Sequence, residues 1–169
     1  MAIIFELDSA FILSEQIPMT AGDLRYGLDR FFIKERTVIE IAVAEISRGS
    51  SDSLLYELAV LLQVEVDRIP EIFKGLDFPG RFDDPRDSAR KWLYLQLKAA
   101  YLQRAQLKDP LGAVEEIYAD FDYPPEIARL VRYMPVSRPS EAVGVGGLLQ
   151  NWARFLDEEH RALGYSLPE

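Results

Sequence analysis

With 169 residues and 49% hydrophobic content, the chain has the composition of a globular protein and is long enough to bury a sizeable core as a single domain, residues 1–169. It has no cysteine, which excludes disulfides, thiol nucleophiles and thiolate metal sites and suits a reducing cytoplasm. A net charge of −9 repels phosphate backbones, so no nucleic acid is expected; the acidity favours a basic protein partner or serves solubility alone.

At the start, Met1–Leu13 is interrupted by Glu6 and Asp8 and has no basic lead, so it does not read as a signal peptide. No run reaches the roughly 18 apolar residues of a membrane span, so no membrane is expected. Residues 2–7 read as a short strand or an apolar arm, and Ser9–Ser14 as one helical turn ended before Pro18. Thr20 reads as an N-cap with Asp23 closing a capping box. Leu24, Leu28, Phe31 and Phe32 then follow at helical spacing. Gly27 weakens this helix but allows a neighbouring helix to come close.

Thr37–Arg48 is apolar on most sides, and Glu40, Glu45 and the stop at Gly49 favour a buried helix over a strand. Ser50–Ser53 is a polar turn, followed by an apolar stripe from Leu54 to Leu62. Val66–Leu76 is a weaker helical pattern in which Pro70 fits only near the start. Residues 77–85 form the longest loop and the candidate internal boundary. Pro85 or Arg86 opens the longest helix, to about Gln106, with an apolar arc wide enough for neighbours on two sides. Arg81–Lys108 carries seven Lys/Arg against three Asp.

Asp109–Pro135 is the most patterned stretch, DPLGAVEEIYADFDYPPEIARLVRYMP. Asp109 caps a helix that Pro110 opens. Leu111, Val114, Ile117, Tyr118 and Phe121 mark its core face. Tyr123-Pro124-Pro125 turns the chain into a second helix with a buried stripe of Ile127, Leu130, Val131 and Met134, completing an αα-hairpin over 109–135. Six acids and no base lie between Asp109 and Glu126. The remainder, 136–169, is a loop over Val136–Gly147 and a last amphipathic helix over Leu148–Leu163. The fold class is therefore all-α, a compact domain of about seven or eight helices.

The search for chemistry is short. The single histidine, His160, sits near a helix end, where it interacts with the last carbonyls. Gly144–Gly147 matches neither phosphate-binding fingerprint. Glu116, Asp120 and Asp122 could hold a divalent cation through oxygen, which would make the chain a metal-dependent hydrolase; the competing reading is a solvated helix end. No metal ligand set, catalytic residue or cofactor is assigned. The basic long helix could instead complement the acidic hairpin internally.

Tyr26–Leu28, Lys91-Trp92 with Leu95, and above all the Asp109–Pro135 stretch resemble a bacterial family of uncharacterised proteins, domain of unknown function 2247. The resemblance covers roughly Thr20–Pro135. It implies a compact helical bacterial protein and brings no catalytic residue with it. Small acidic helical proteins of this kind are often immunity proteins, and by that analogy the expected function is a non-enzymatic binding protein that neutralises a basic toxin. Glu115, Glu116, Asp120, Asp122 and Glu126 would steer the partner, with Tyr118 and Tyr123 as anchors.

Overall fold

The computed structural model describes residues 5–61, 63–74, 84–134 and 144–165. Among these, eight α-helices and two 3₁₀ segments carry the fold, with no strand. The all-α expectation holds. The helices are α1 (Ser9–Ser14), α2 (Ala21–Asp29), α3 (Glu35–Ser47), α4 (Ser53–Ala59), α5 (Ile69–Phe73), α6 (Pro85–Leu102), α7 (Pro110–Asp120) and α8 (Gly144–Leu163). The 3₁₀ segments are Gln63–Arg68 and Pro125–Leu130.

Helix ends follow local chemistry. Asp8 caps α1 by accepting from Phe11 N, and Asp52 caps α4 by accepting from Leu54 N. Thr20 and Asp23 form the expected reciprocal capping box of α2. α3 ends in a Schellman turn: Gly49 N donates to Ile46 O, Ser50 N donates to Glu45 O, and Gly49 takes φ +101°. Pro70 sits in the first turn of α5, as the missing N–H requires.

The chain packs as two compact units that divide within α6: Met1–Phe5 with Leu93–Ala162, and Glu6–Trp92 with Leu163–Glu169. The 77–85 boundary expected from sequence lies mostly outside the described residues. So do residues 2–4 of the N-terminal strand or arm and 136–143 of the C-terminal loop.

In the unit built from Glu6–Trp92, α3 and α4 pack closely around Val38, Ile41, Leu54, Leu55 and Leu58, all buried. α2 meets α6 through a polar seam. Lys91 Nζ donates to Asp23 Oδ2 at 2.6 Å and to Pro18 O at 2.8 Å, and Ser88 Oγ donates to Asp23 Oδ1 at 2.7 Å. The indole of Trp92 donates to Asp23 O at 2.8 Å and lies against Gly27, where a side chain would collide with the ring. Asp23 thus caps its own helix and holds a second one. A C-terminal residue closes on α3 in the same unit. The Tyr165 hydroxyl donates to buried Glu45 at 2.5 Å and accepts from Arg48 at 2.8 Å.

In the other unit, α7 buries Leu111, Val114, Ile117 and Tyr118, and α8 buries Trp152, Phe155 and Leu156. Trp152 meets Tyr101 edge-on at 5.2 Å. Buried Gln96 uses both ends of its amide on the backbone of Phe5, at 2.9 and 2.8 Å.

Three expectations are corrected. The second limb of the 109–135 hairpin is a 3₁₀ segment, Pro125–Leu130, in place of an α-helix. Its tighter pitch breaks the i, i+3, i+4 stripe: Ile127, Leu130 and Val131 are buried, but Met134 is 36% exposed. Phe31 does not join the stripe of α2. That helix ends at Asp29 and the chain turns at Phe31 with φ +62°, leaving the ring 80% exposed and sending Phe32 inward. Finally, α8 starts at Gly144, so the glycine stretch expected in the loop forms its first turn.

Candidate functional site

Asp109 accepts from Gly112 N at 3.1 Å and caps α7, with Pro110 in the first turn, as the sequence predicts. The carboxylates of this segment then separate into two groups. Glu115, half-buried, is paired with Arg132: Nε donates to Oε1 at 2.7 Å and Nη2 to Oε2 at 3.0 Å. The same Nη2 donates to Asp109 Oδ2 at 2.9 Å. These hydrogen bonds, to Glu115 first and then Asp109, raise the pKa of the Arg132 guanidinium. In return, the bond from Arg132, with that from Gly112 N, holds the Asp109 carboxyl below the usual carboxylate range.

Arg132, within the hairpin itself, is thus an internal partner of two of its acids, Asp109 and Glu115. The sequence reading looked for internal partners on the basic helix before Asp109. Among the bases of that helix, Lys91 is tied to Asp23 and Pro18, while Arg86 pairs with Asp84.

Asp120, Asp122 and Glu126 form the second group, all exposed. The Asp120 carboxyl is pushed above its ordinary value, by desolvation first and the charge of Glu116 second. Glu116 is half-buried. Among the described residues, no three His, Asp or Glu gather where they could hold a metal ion, so the hydrolase reading gains no geometric support.

The two candidate tyrosines part company. Tyr118 is 6% exposed and belongs to the core; Tyr123 is 58% exposed and stands edge-on to it at 5.2 Å. The chain reaches this arrangement through two consecutive left-handed residues, Asp122 at φ +61° and Tyr123 at φ +57°. Neither is glycine, so the turn costs about 1–2 kcal/mol per residue. It is held by Asp122 N donating to Ala119 O and Tyr123 N to Tyr118 O, at 3.1 and 2.8 Å.

Sequence reasoning missed two neighbours, Tyr133 and Met134. Tyr133 is 62% exposed. Its phenol is pushed above the ordinary value by desolvation and then by the field of Tyr118, Glu115 and Tyr123. The signal was present in Arg-Tyr-Met-Pro, two bulky side chains next to a base, but the helical stripe assigned Met134 to the core. Tyr123, Tyr133 and Met134 are thus exposed within the same segment as the exposed carboxylates Asp120, Asp122 and Glu126.

No helix among the described residues is long and apolar enough to cross a membrane. The described residues are thus all-helical, with exposed aromatic and acidic residues in the segment that follows α7. The family model for DUF2247, an uncharacterised protein conserved in bacteria, matches residues 10–160, and the chain belongs to this family. The match extends beyond Thr20–Pro135 in both directions. Neither the comparison with curated proteins nor that with solved structures gave a match.

Proposed function

We propose that the protein is a non-enzymatic binding protein of the bacterial cytoplasm whose face at 115–134 docks a basic protein, in the particular form of an immunity protein that neutralises a basic toxin. The observation that carries this reading is Tyr123, 58% exposed and set by two left-handed residues among exposed carboxylates. Exposed aromatic anchors ringed by charge are what interfaces use for affinity, and single-sign charge speeds encounter. The exposed carboxylates in question are Asp120, Asp122 and Glu126; Glu116 beside them is half-buried and Glu115 is engaged by Arg132. The immunity form rests on the analogy with other small acidic helical bacterial proteins.

The test begins with capture of the partner from the native host on immobilised protein, together with inspection of the adjacent genes for a large toxin gene upstream. Coexpression should then rescue cells from that toxin. The association rate should fall at least about tenfold between low and high salt. A rate indifferent to salt, or full rescue by a variant with Glu116, Asp120, Asp122 and Glu126 all made neutral, would sink the reading.

A further inference from the structure

We propose that the segment following α8 is a reversible latch. Tyr165 fills a phenol-accepting seat made by Glu45, Arg48 and the carbonyl of Gln16, and leaves it without unfolding the rest of the unit. The latch is independent of the binding reading above and lies wholly within the unit built from Glu6–Trp92 and Leu163–Glu169.

The seat is built around a carboxylate. Glu45 lies on α3 and is only 5% exposed. Among the described residues, its side chain has two partners, the Tyr165 hydroxyl at 2.5 Å and Arg48 Nη1 at 3.6 Å. A carboxylate removed from water needs donors close by, and without Tyr165 only the longer ion pair is left.

The geometry asks for a phenol in particular. Its hydroxyl donates to Glu45 and accepts from Arg48 Nη1 at 2.8 Å, while the Arg48 guanidinium stands over the ring, 5.0 Å from its centre. Phenylalanine would offer the ring and neither hydrogen bond; serine would offer a hydroxyl and no ring. A third contact fixes the backbone, where Tyr165 N donates to Gln16 O at 3.2 Å. Gln16, just after α1, is a non-glycine residue held in the left-handed region at φ +56°.

Little else holds the segment. No residue from Arg161 to Tyr165 is buried; Leu163 and Gly164 are half-buried. The body of the same unit rests instead on side chains such as Ile12, Ile17, Val38 and Ile41, none more than 2% exposed. A region held by few buried apolar contacts opens locally, ahead of global unfolding. Closed, the segment completes the pairing of Glu45. Open, it frees the seat for a phenol from outside the chain.

Two measurements on the full chain test this. In native-state hydrogen exchange, the Tyr165 amide should exchange at least about 100-fold faster than the Phe32 amide, which donates to Gly27 O in the same unit. Its rate should be nearly independent of low urea. Equal rates with equal urea dependence would overturn the latch, because the segment would then let go only on global unfolding.

In the second, acetyl-Gly-Tyr-amide is titrated against Tyr165→Ala. Binding is followed by NMR at Arg48 Nε–H and at the amide of Ser50, which donates to Glu45 O. The peptide should bind saturably. Acetyl-Gly-Phe-amide, lacking both hydroxyl hydrogen bonds, should bind roughly five- to tenfold more weakly. Wild type, its seat already filled, should respond at least about tenfold more weakly than the variant. Equal binding of the two peptides, equal response of wild type and variant, or no binding at all would overturn the seat. The exchange measurement needs no variant, so it decides the latch even where Tyr165→Ala fails to fold. A concentration-dependent dimer in sedimentation that is lost in Tyr165→Phe would also overturn the latch, by assigning the contact to a second copy.

Discussion

Replacing Gly27 with alanine tests the packing of α2 on α6, because two effects of opposite sign meet there. In an ordinary helix interior, Gly→Ala stabilises by about 1 kcal/mol. Here the new Cβ would lie 2.7 Å from Trp92 Cη2 and 2.8 Å from Cε2, and closer still to Cζ2. Carbon atoms in contact prefer about 3.5–4.0 Å, so the indole must shift by roughly 1 Å. It has little room to do so. Trp92 is 0% exposed, donates to Asp23 O at 2.8 Å and packs on Phe32 at 5.6 Å between ring centres. Overpacking of this kind costs about 1–3 kcal/mol, and straining a buried hydrogen bond adds about 1 kcal/mol. After subtracting the helix gain, Gly27→Ala should destabilise by roughly 2 kcal/mol. Urea unfolding followed by far-ultraviolet circular dichroism should show a midpoint lower by about 1 M. The double variant Gly27→Ala, Trp92→Phe should cost less than the two single changes added together. A midpoint equal to or above wild type for Gly27→Ala would refute the close approach.

Two other substitutions probe the polar contacts. Lys91→Met leaves the carboxylate of Asp23, 2% exposed, without its ion-pair partner, although Thr20 N and Ser88 Oγ still donate to it. The loss should be about 3 kcal/mol, read as a melting temperature lower by about 6–12 °C; a change under 2 °C would refute a buried pair. Tyr165→Phe removes the donor to Glu45 and the acceptor for Arg48, and should cost about 1 kcal/mol. Burial first, and then the bond to Glu45, raise the Tyr165 phenol above its ordinary value. A raised folded-state pKa means the contribution is complete below the ordinary value near 10 and is lost as pH rises through the folded one. The stability difference between wild type and Tyr165→Phe should therefore be constant from neutral pH to about 9 and shrink above 10. A difference that grows with alkalinity would reverse the assignment.

How far the sequence could be read depended on the reach of each interaction. Helix starts and stops are settled within four residues, so Thr20 with Asp23, Asp109 with Pro110, and Gly49 could be read directly and recur in the structure. The core stripes of α3, α4 and α7 follow from the 3.6-residue period and were equally legible. The family signature in Asp109–Pro135 was also carried by the residues alone, and it lies within the matched span, residues 10–160.

The candidate site was only half legible. Its acids and Tyr123 stand in one short stretch, but which groups face solvent depends on the backbone after Asp120. Two left-handed residues shape the turn at Asp122 and Tyr123, and a 3₁₀ limb stands in place of the second α-helix that periodicity suggested, while Tyr133 and Met134 stay exposed. The pairings of Asp23 with Lys91 and Glu45 with Tyr165 join residues 68 and 120 positions apart. Such contacts depend on where whole helices come to rest. Any of the 19 Lys and Arg residues carries a charge able to pair with Asp23, and nothing in the order of residues singles out Lys91. Local rules thus settled which segments are helices and which of their faces are apolar. Packing decided which carboxylates are paired inside the molecule and which stand exposed, because a charge is paired only when tertiary structure brings its counterpart within a few ångströms.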